Sequence, residues 1–284
     1  MTGVLLDATL DTLKLLPFLF LTYLLMEYLE DRAGGRFIHA IGEAGHLGPA
    51  VGALLGAVPQ CGFSAAAANL FSGGVVSVGT LLAVFLSTSD EMLPIFISEQ
   101  VPAGTIVKIM ISKIVIALIC GFAVDFLIHR FRSVRPEKHI HDLCERDNCG
   151  CEESGIARSA LVHTMKIALF IYLISIAIAA VIHYIGTGAL ETWLTDSVVL
   201  GVIITGIVGL IPNCAVSVAV TELYLKGIIT TGQMMSGLLV SAGVGLLVMY
   251  RTNRNTKENL RVTGALLLAG IAFGFLIDFL GITF

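Results

Sequence analysis

The sequence predicts an all-α polytopic membrane protein: two inverted-topology repeats whose broken or re-entrant helices meet near the membrane midplane. Three observations predict it. The 284 residues are 56% hydrophobic and only 13% charged, with a mean hydropathy of +0.90. The charges bunch into short stretches and leave apolar blocks of about 20 residues or more, the length a helix needs to cross a bilayer. The chain also matches itself, without a gap, at an offset of 153 residues.

Composition excludes the main alternatives. A soluble domain carries about a quarter charged residues. A β-barrel would show short alternating segments, and the chain has long apolar runs instead. The first of these, Val4 to Leu29, lacks a basic n-region and is too long for a signal-peptide core, so the reading has no cleaved signal. The net charge of −4 says little, because the sorting of charge between loops is what orients a membrane protein.

Eight apolar blocks follow in order: Leu10–Leu29, Leu47–Phe71, Val75–Ile97, Thr105–Phe131, Leu161–Ile185, Val198–Tyr224, Ile228–Tyr250 and Val262–Leu280. The polar stretch Arg132–Ser159 separates the first four from the last four. The expected organisation is a first transmembrane repeat over 1–131, a linker over 132–160 and a second, inverted repeat over 161–284.

At the fixed offset, Gly56, Pro59, Cys61, Ser64, Gly74 and Gly79 fall on Gly209, Pro212, Cys214, Ser217, Gly227 and Gly232. Gln60 falls on Asn213, and Gly121 and Asp125 fall on Gly274 and Asp278. Shared Leu or Ala could be compositional; shared Pro, Cys and Asp at one offset mark an internal repeat. Lys and Arg accumulate in cytoplasmic loops. Arg32 and Arg36, the linker residues Arg132, Arg135, Lys138, Arg146 and Arg158, and Arg251, Arg254 and Lys257 therefore mark the cytoplasmic side. Equivalent loops of the two halves then face opposite sides, the pattern of inverted-repeat transporters. Both termini are expected outside an inner (plasma) membrane and the linker inside.

Opposite sidedness requires an odd number of crossings per repeat, yet each has four blocks. The second block resolves this, since Pro59 and Pro212 interrupt it and proline removes a helical donor. Either the block splits into two short crossings, giving ten in all, or it forms a re-entrant hairpin beside three full crossings. Non-helical backbone at membrane depth survives only when buried in protein or lining a polar cavity. Paired interruptions in inverted halves also point to a substrate site. Each break brings an amide (Gln60, Asn213), a thiol (Cys61, Cys214) and, one turn on, a hydroxyl (Ser64, Ser217). The bland reading is a kink relieved by nearby hydroxyls.

Asn69 and Glu222 continue the same blocks at equivalent positions. The third block holds Ser87-Thr88-Ser89-Asp90-Glu91, where charge costs about 2.5–3.5 kcal/mol per group on insertion scales. The matching Ser241-Ala242-Gly243-Val244 has no carboxylate, so the pathway charge is expected to be asymmetric, from Asp90, Glu91 and Glu222. Asp90 and Glu91 could instead sit near the outer interface. Asp125 and Asp278 are candidates for a proton relay, or ordinary carboxylates near helix ends.

The linker carries His139, His141, Cys144, Cys149 and Cys151 within 13 residues, a donor set suited to zinc and softer metals. Its spacing fits no zinc finger, so a loading or sensing loop is expected, against a plain tether. Among the described motifs there is no P-loop, so no ATP-driven pumping is expected of this chain.

With these features together, the chain resembles the ten-helix heavy-metal exporters, a family whose members are labelled arsenic efflux proteins or manganese transporters. The resemblance rests on Gly-x-x-Pro-Gln-Cys at Gly56–Cys61, Gly-x-x-Pro-Asn-Cys at Gly209–Cys214 with Glu222 downstream, the Ser-Thr-Ser-Asp-Glu stretch and the His/Cys linker. It implies export of a metal or metalloid from the cytoplasm. Mixed oxygen and sulfur donors suit a divalent cation, manganese- or zinc-like. The expectation is a secondary-active exporter working against protons by alternating access. Arsenic efflux is the alternative, with a channel or an intramembrane enzyme behind it. No enzyme activity, cofactor or nucleic acid is expected; the partners are the ion and the lipids, with a homo-oligomer open.

Overall fold

The computed structural model describes residues 47–58, 61–89, 92–131 and 198–284, with scattered positions of helical stretches between 9 and 24 and between 161 and 176. Among the described residues the regular structure is helical throughout. The first half contributes α1 (Gly48–Gly56), α2 (Cys61–Ser72), α3 (Val78–Ser87), α4 (Met92–Ser98) and α5 (Ala103–Phe131). The second contributes α6 (Val198–Gly209), α7 (Cys214–Leu225), α8 (Thr231–Val240), α9 (Gly245–Thr252) and α10 (Thr256–Phe279).

The internal repeat is a repeat of structure. At the 153-residue offset α2 coincides with α7, and α3 with α8, at both ends. α1 and α6 stop at equivalent glycines, and α4 and α9 start at equivalent positions, as do α5 and α10. The turns recur as well. Gly74 (φ 77) and Gly227 (φ 70) follow α2 and α7 in the left-handed conformation that glycine adopts without strain. The next N–H reaches back in each half, Val75 to Leu70 O at 2.8 Å and Ile228 to Leu223 O at 3.0 Å, which satisfies a carbonyl the helix would leave open.

The helices that follow begin in the same way twice. Ser77 caps α3, accepting from the Thr80 N–H, and Thr230 caps α8, accepting from the Gln233 N–H. A carboxylate from the last helix of each half clamps that cap. Asp125 accepts from Ser77 Oγ at 2.5 Å and from the Gly79 N–H at 2.9 Å. Asp278 accepts from Thr230 Oγ1 at 2.7 Å and from the Gly232 N–H at 2.8 Å. A negative group at a helix N-terminus also complements the helix dipole. The approach needs bare backbone: a Cβ on Gly79 would lie 2.2 Å from Gly121 O, and one on Gly232 would lie 2.2 Å from Gly274 O. Small residues at such crossings are how helices pack closely in lipid.

Four segments are long and apolar enough to span a membrane: Val78–Ser98, Ala103–His129, Thr231–Thr252 and Thr256–Phe279. Only 28% of the residues in the α5 and α10 windows are buried in the protein, so these two helices are the less enclosed pair. The other two spans are 75% and 94% buried, and both are interrupted. The sequence reading took the third block as one continuous segment carrying polar residues. Here the helix stops at Ser87 and resumes at Met92, and in the second half it stops at Val240 and resumes at Gly245. These breaks lie in the two most enclosed spans, where backbone without a helical partner can be satisfied by protein.

Within each half, the first, third and fifth helices pack together, as α1–α3–α5 and α6–α8–α10. The second helices do otherwise. α2 lies chiefly against α9, and α7 against α4 and α8. Ser72 of α2 and Thr252 of α9 hydrogen-bond across this contact at 2.6 Å.

Candidate functional site

The second block is interrupted where the prolines predict it: α1 ends at Gly56 and α2 starts at Cys61, while α6 ends at Gly209 and α7 starts at Cys214. Each proline break lies beside the break in the following span. A Cβ on Gly56 would fall 2.2 Å from Ser87 Oγ and 2.4 Å from Val84 O, so α1 and α3 end side by side. A Cβ on Gly209 would fall 2.6 Å from Gly237 O and 3.1 Å from Val240 Cβ, so α6 and α8 do the same.

A cavity opens where these ends come together. Thr88 and Ser89 line it from the first half, Ser217 and Ser241 from the second, with Met92, Leu238 and Lys113. It has room for about one water-sized guest, at about 10 Å³. The hydroxyls at the end of α3 are oriented. Ser87 Oγ and Thr88 Oγ1 both donate to Val84 O, at 3.1 and 2.8 Å, and Ser89 Oγ donates to Ser87 O at 3.0 Å. A hydroxyl whose proton is spent on a carbonyl offers lone pairs outward. The carbonyls at the ends of α3 and α8 add the negative ends of two helix dipoles.

Lys113 answers that field. It sits in α5 about 15 Å along from Ala103, at 1.5 Å per residue, and is 1% exposed. Its Nζ donates to Thr88 O, just past the end of α3, and to Leu238 O near the end of α8 at 3.1 Å. One ammonium therefore joins helix ends from the two halves. The sequence reading did not single out Lys113. The available signal was the second of two lysines, Lys108 and Lys113, in a long apolar segment, where an ionisable side chain by default marks a functional position.

Among the described residues the equivalent place in the other half is filled. At the 153-residue offset, Leu238, Met92 and Ser217 correspond to Phe85, Gly245 and Ser64. A Cβ on Gly245 would come within 2.8 Å of both Phe85 Cε1 and Ser64 Cβ, so the larger ring fills that space. Lys113 corresponds to Leu266, which is fully buried. Among the described residues, then, the lining of this polar site is not repeated at the 153-residue offset.

The predicted residues fall as follows. Ser217 lines the cavity, and Ser64 and Asn69 are buried in α2. Pro212 and Asn213 are half-buried in the break. Glu222 is exposed and pairs with Lys226 at 3.6 Å. It lies about 140° round the helix from Ser217, at about 100° per residue, which turns it away from the cavity. Asp125 and Asp278 hold the helix caps described above. Pro59, Gln60, Asp90, Glu91, His139, His141, Cys144, Cys149 and Cys151, and the side chains of Cys61 and Cys214, lie outside the described residues. Among the described residues no group of three or more His, Cys, Asp or Glu could hold a metal ion.

Long apolar helices around enclosed, interrupted spans define a multi-pass membrane protein with a small polar cavity inside its helical core. The chain belongs to the family described as "Putative, 10TM heavy-metal exporter", whose model matches residues 4–187. No curated protein and no solved structure matches it.

Proposed function

We propose that the protein exports a divalent metal cation from the cytoplasm, and that the cavity between the interrupted spans is where the ion binds in transit. The observation that carries this reading is the direction of the polar groups. The hydroxyls of Thr88, Ser89, Ser217 and Ser241 and two helix C-terminal ends border a space that fits one small, dehydrated ion, with the Thr88 and Ser89 protons spent on backbone carbonyls. A neutral metalloid hydroxide would make no use of that field, so the arsenic alternative ranks second. Oxygen donors favour a hard ion such as manganese over zinc. The two three-helix units are the natural bodies for alternating access across an inner membrane, with protons as the counter-ion. The His139–Cys151 linker segment serves as a cytoplasmic loading loop.

The test is transport by purified protein in liposomes, with Mn²⁺, Zn²⁺, Cd²⁺ and arsenite offered separately and with and without a pH gradient. Thr88→Val, Ser217→Ala and Ser241→Ala should each lower the apparent affinity for the transported metal by roughly tenfold, the loss of about 1.4 kcal/mol. Saturable arsenite flux without metal flux would overturn the cation reading. Flux that never saturates would make the protein a channel.

A further inference from the structure

We propose that Lys113 is a tethered stand-in for the transported cation: its ammonium occupies the ion's place between the helix ends until the substrate displaces it. The inference rests on the exporter reading and adds how the empty site is kept closed.

Four observations carry it. The lysine head is buried, ten residues in from the start of the 29-residue α5. It donates to the two carbonyls, Thr88 O and Leu238 O, that a cation at the junction of the two halves would use. Two of the lining hydroxyls, Thr88 and Ser89, have turned their protons onto backbone carbonyls, which suits that side of the lining to a positive charge. The fold does not require lysine at this place in the repeat, because Leu266 occupies the equivalent position fully buried. A lysine serving only to hold two helices together would have no reason to share its acceptors with a solute cavity. A competitor would.

A site with one tethered cation has two filled states. With the ammonium in place, the carbonyl ends of α3 and α8 are neutralised and the two halves are tied. With the metal in place, the metal neutralises those ends and the lysine is released. The site is never left bare and negative, so the carrier has a neutralised metal-free state as well as a metal-filled one, which alternating access uses and a channel does not.

The experiment measures Mn²⁺ binding to full-length protein in detergent, read from loss of the free-Mn²⁺ paramagnetic resonance signal. Wild type is compared with Lys113→Arg, Lys113→Gln and Lys113→Leu, the last chosen because the second half carries leucine there. Removing the competitor should tighten Mn²⁺ binding about tenfold or more in the Gln and Leu variants, and leave it weak in the Arg variant. Mn²⁺ should also raise the thermal unfolding midpoint of the two neutral variants more than that of wild type, since the ion replaces a missing charge. Wild type that transports Mn²⁺, with neutral variants that bind it no tighter, overturns the role of Lys113 and leaves the exporter reading intact. Neutral variants that cannot be recovered folded with or without Mn²⁺ make Lys113 a structural tie and also overturn it. Wild type that moves no metal overturns both.

Discussion

Asp125 and Asp278 give the sharpest test of how the repeat is held together. Replace Asp278 by Ala and two hydrogen bonds are lost, from Thr230 Oγ1 at 2.7 Å and from the Gly232 N–H at 2.8 Å. Hydrogen bonds to charged groups contribute about 1.5–3 kcal/mol each. The site is part-buried, so the lower figure applies, giving about 3 kcal/mol for the pair. At about 2–4 °C per kcal/mol for a chain of this size class, the unfolding midpoint should fall by roughly 6–12 °C. Asp125→Ala should cost the same, because it removes the equivalent bonds to Ser77 and Gly79. The Asn variants keep one acceptor oxygen and should lose about half as much. The assay is the fraction of monodisperse protein left after heating in detergent, with transport measured well below the midpoint. A midpoint within a degree or two of wild type for either Ala variant refutes the clamp. Stable Asn variants that have lost proton-coupled transport would show instead that the carboxylates relay protons.

Other outcomes follow from the packing. Gly79→Ala and Gly232→Ala each force a Cβ onto a carbonyl 2.2 Å away, and should cost about 1–3 kcal/mol by overpacking; thermal unfolding reads this. Ser72→Ala and Thr252→Ala should show a coupling of about 1 kcal/mol in a double-mutant cycle, from the 2.6 Å bond between them. Glu222→Gln, exposed and paired only on the helix surface, should leave metal transport close to wild type, which a transport assay of the variant checks.

Much of the frame was legible in the sequence, because repeats and helix breaks are written in residues with narrow uses. Pro59 and Pro212 with the glycines three positions ahead mark the ends of α1 and α6. Gly74 and Gly227 mark turns that only a left-handed residue closes easily. The second pair of breaks was visible only as composition. Ser87, Thr88 and Ser89 read as costly polar groups in a span, since nothing local says that hydroxyls will cap a helix end in place of continuing it. Lys113 was hidden for a different reason. A long apolar segment tolerates a lysine that reaches for the interface, and only packing shows that this one turns inward. Phe85 against Leu238 carries the asymmetry of the cavity, and both are simply apolar in a sequence.

The seating of α2 on α9 has a consequence for how the molecule is made. The segment that follows the first proline break has its main neighbour more than a hundred residues later in the chain. While the ribosome is still synthesising the second half, α2 is in the bilayer with Ser64, Asn69 and Ser72 and nothing of α9 to bury them. The first half alone therefore leaves α2 without its main packing partner. A truncated chain ending in the linker should be an early target for membrane proteases, and supplying the missing half as a separate polypeptide should rescue it.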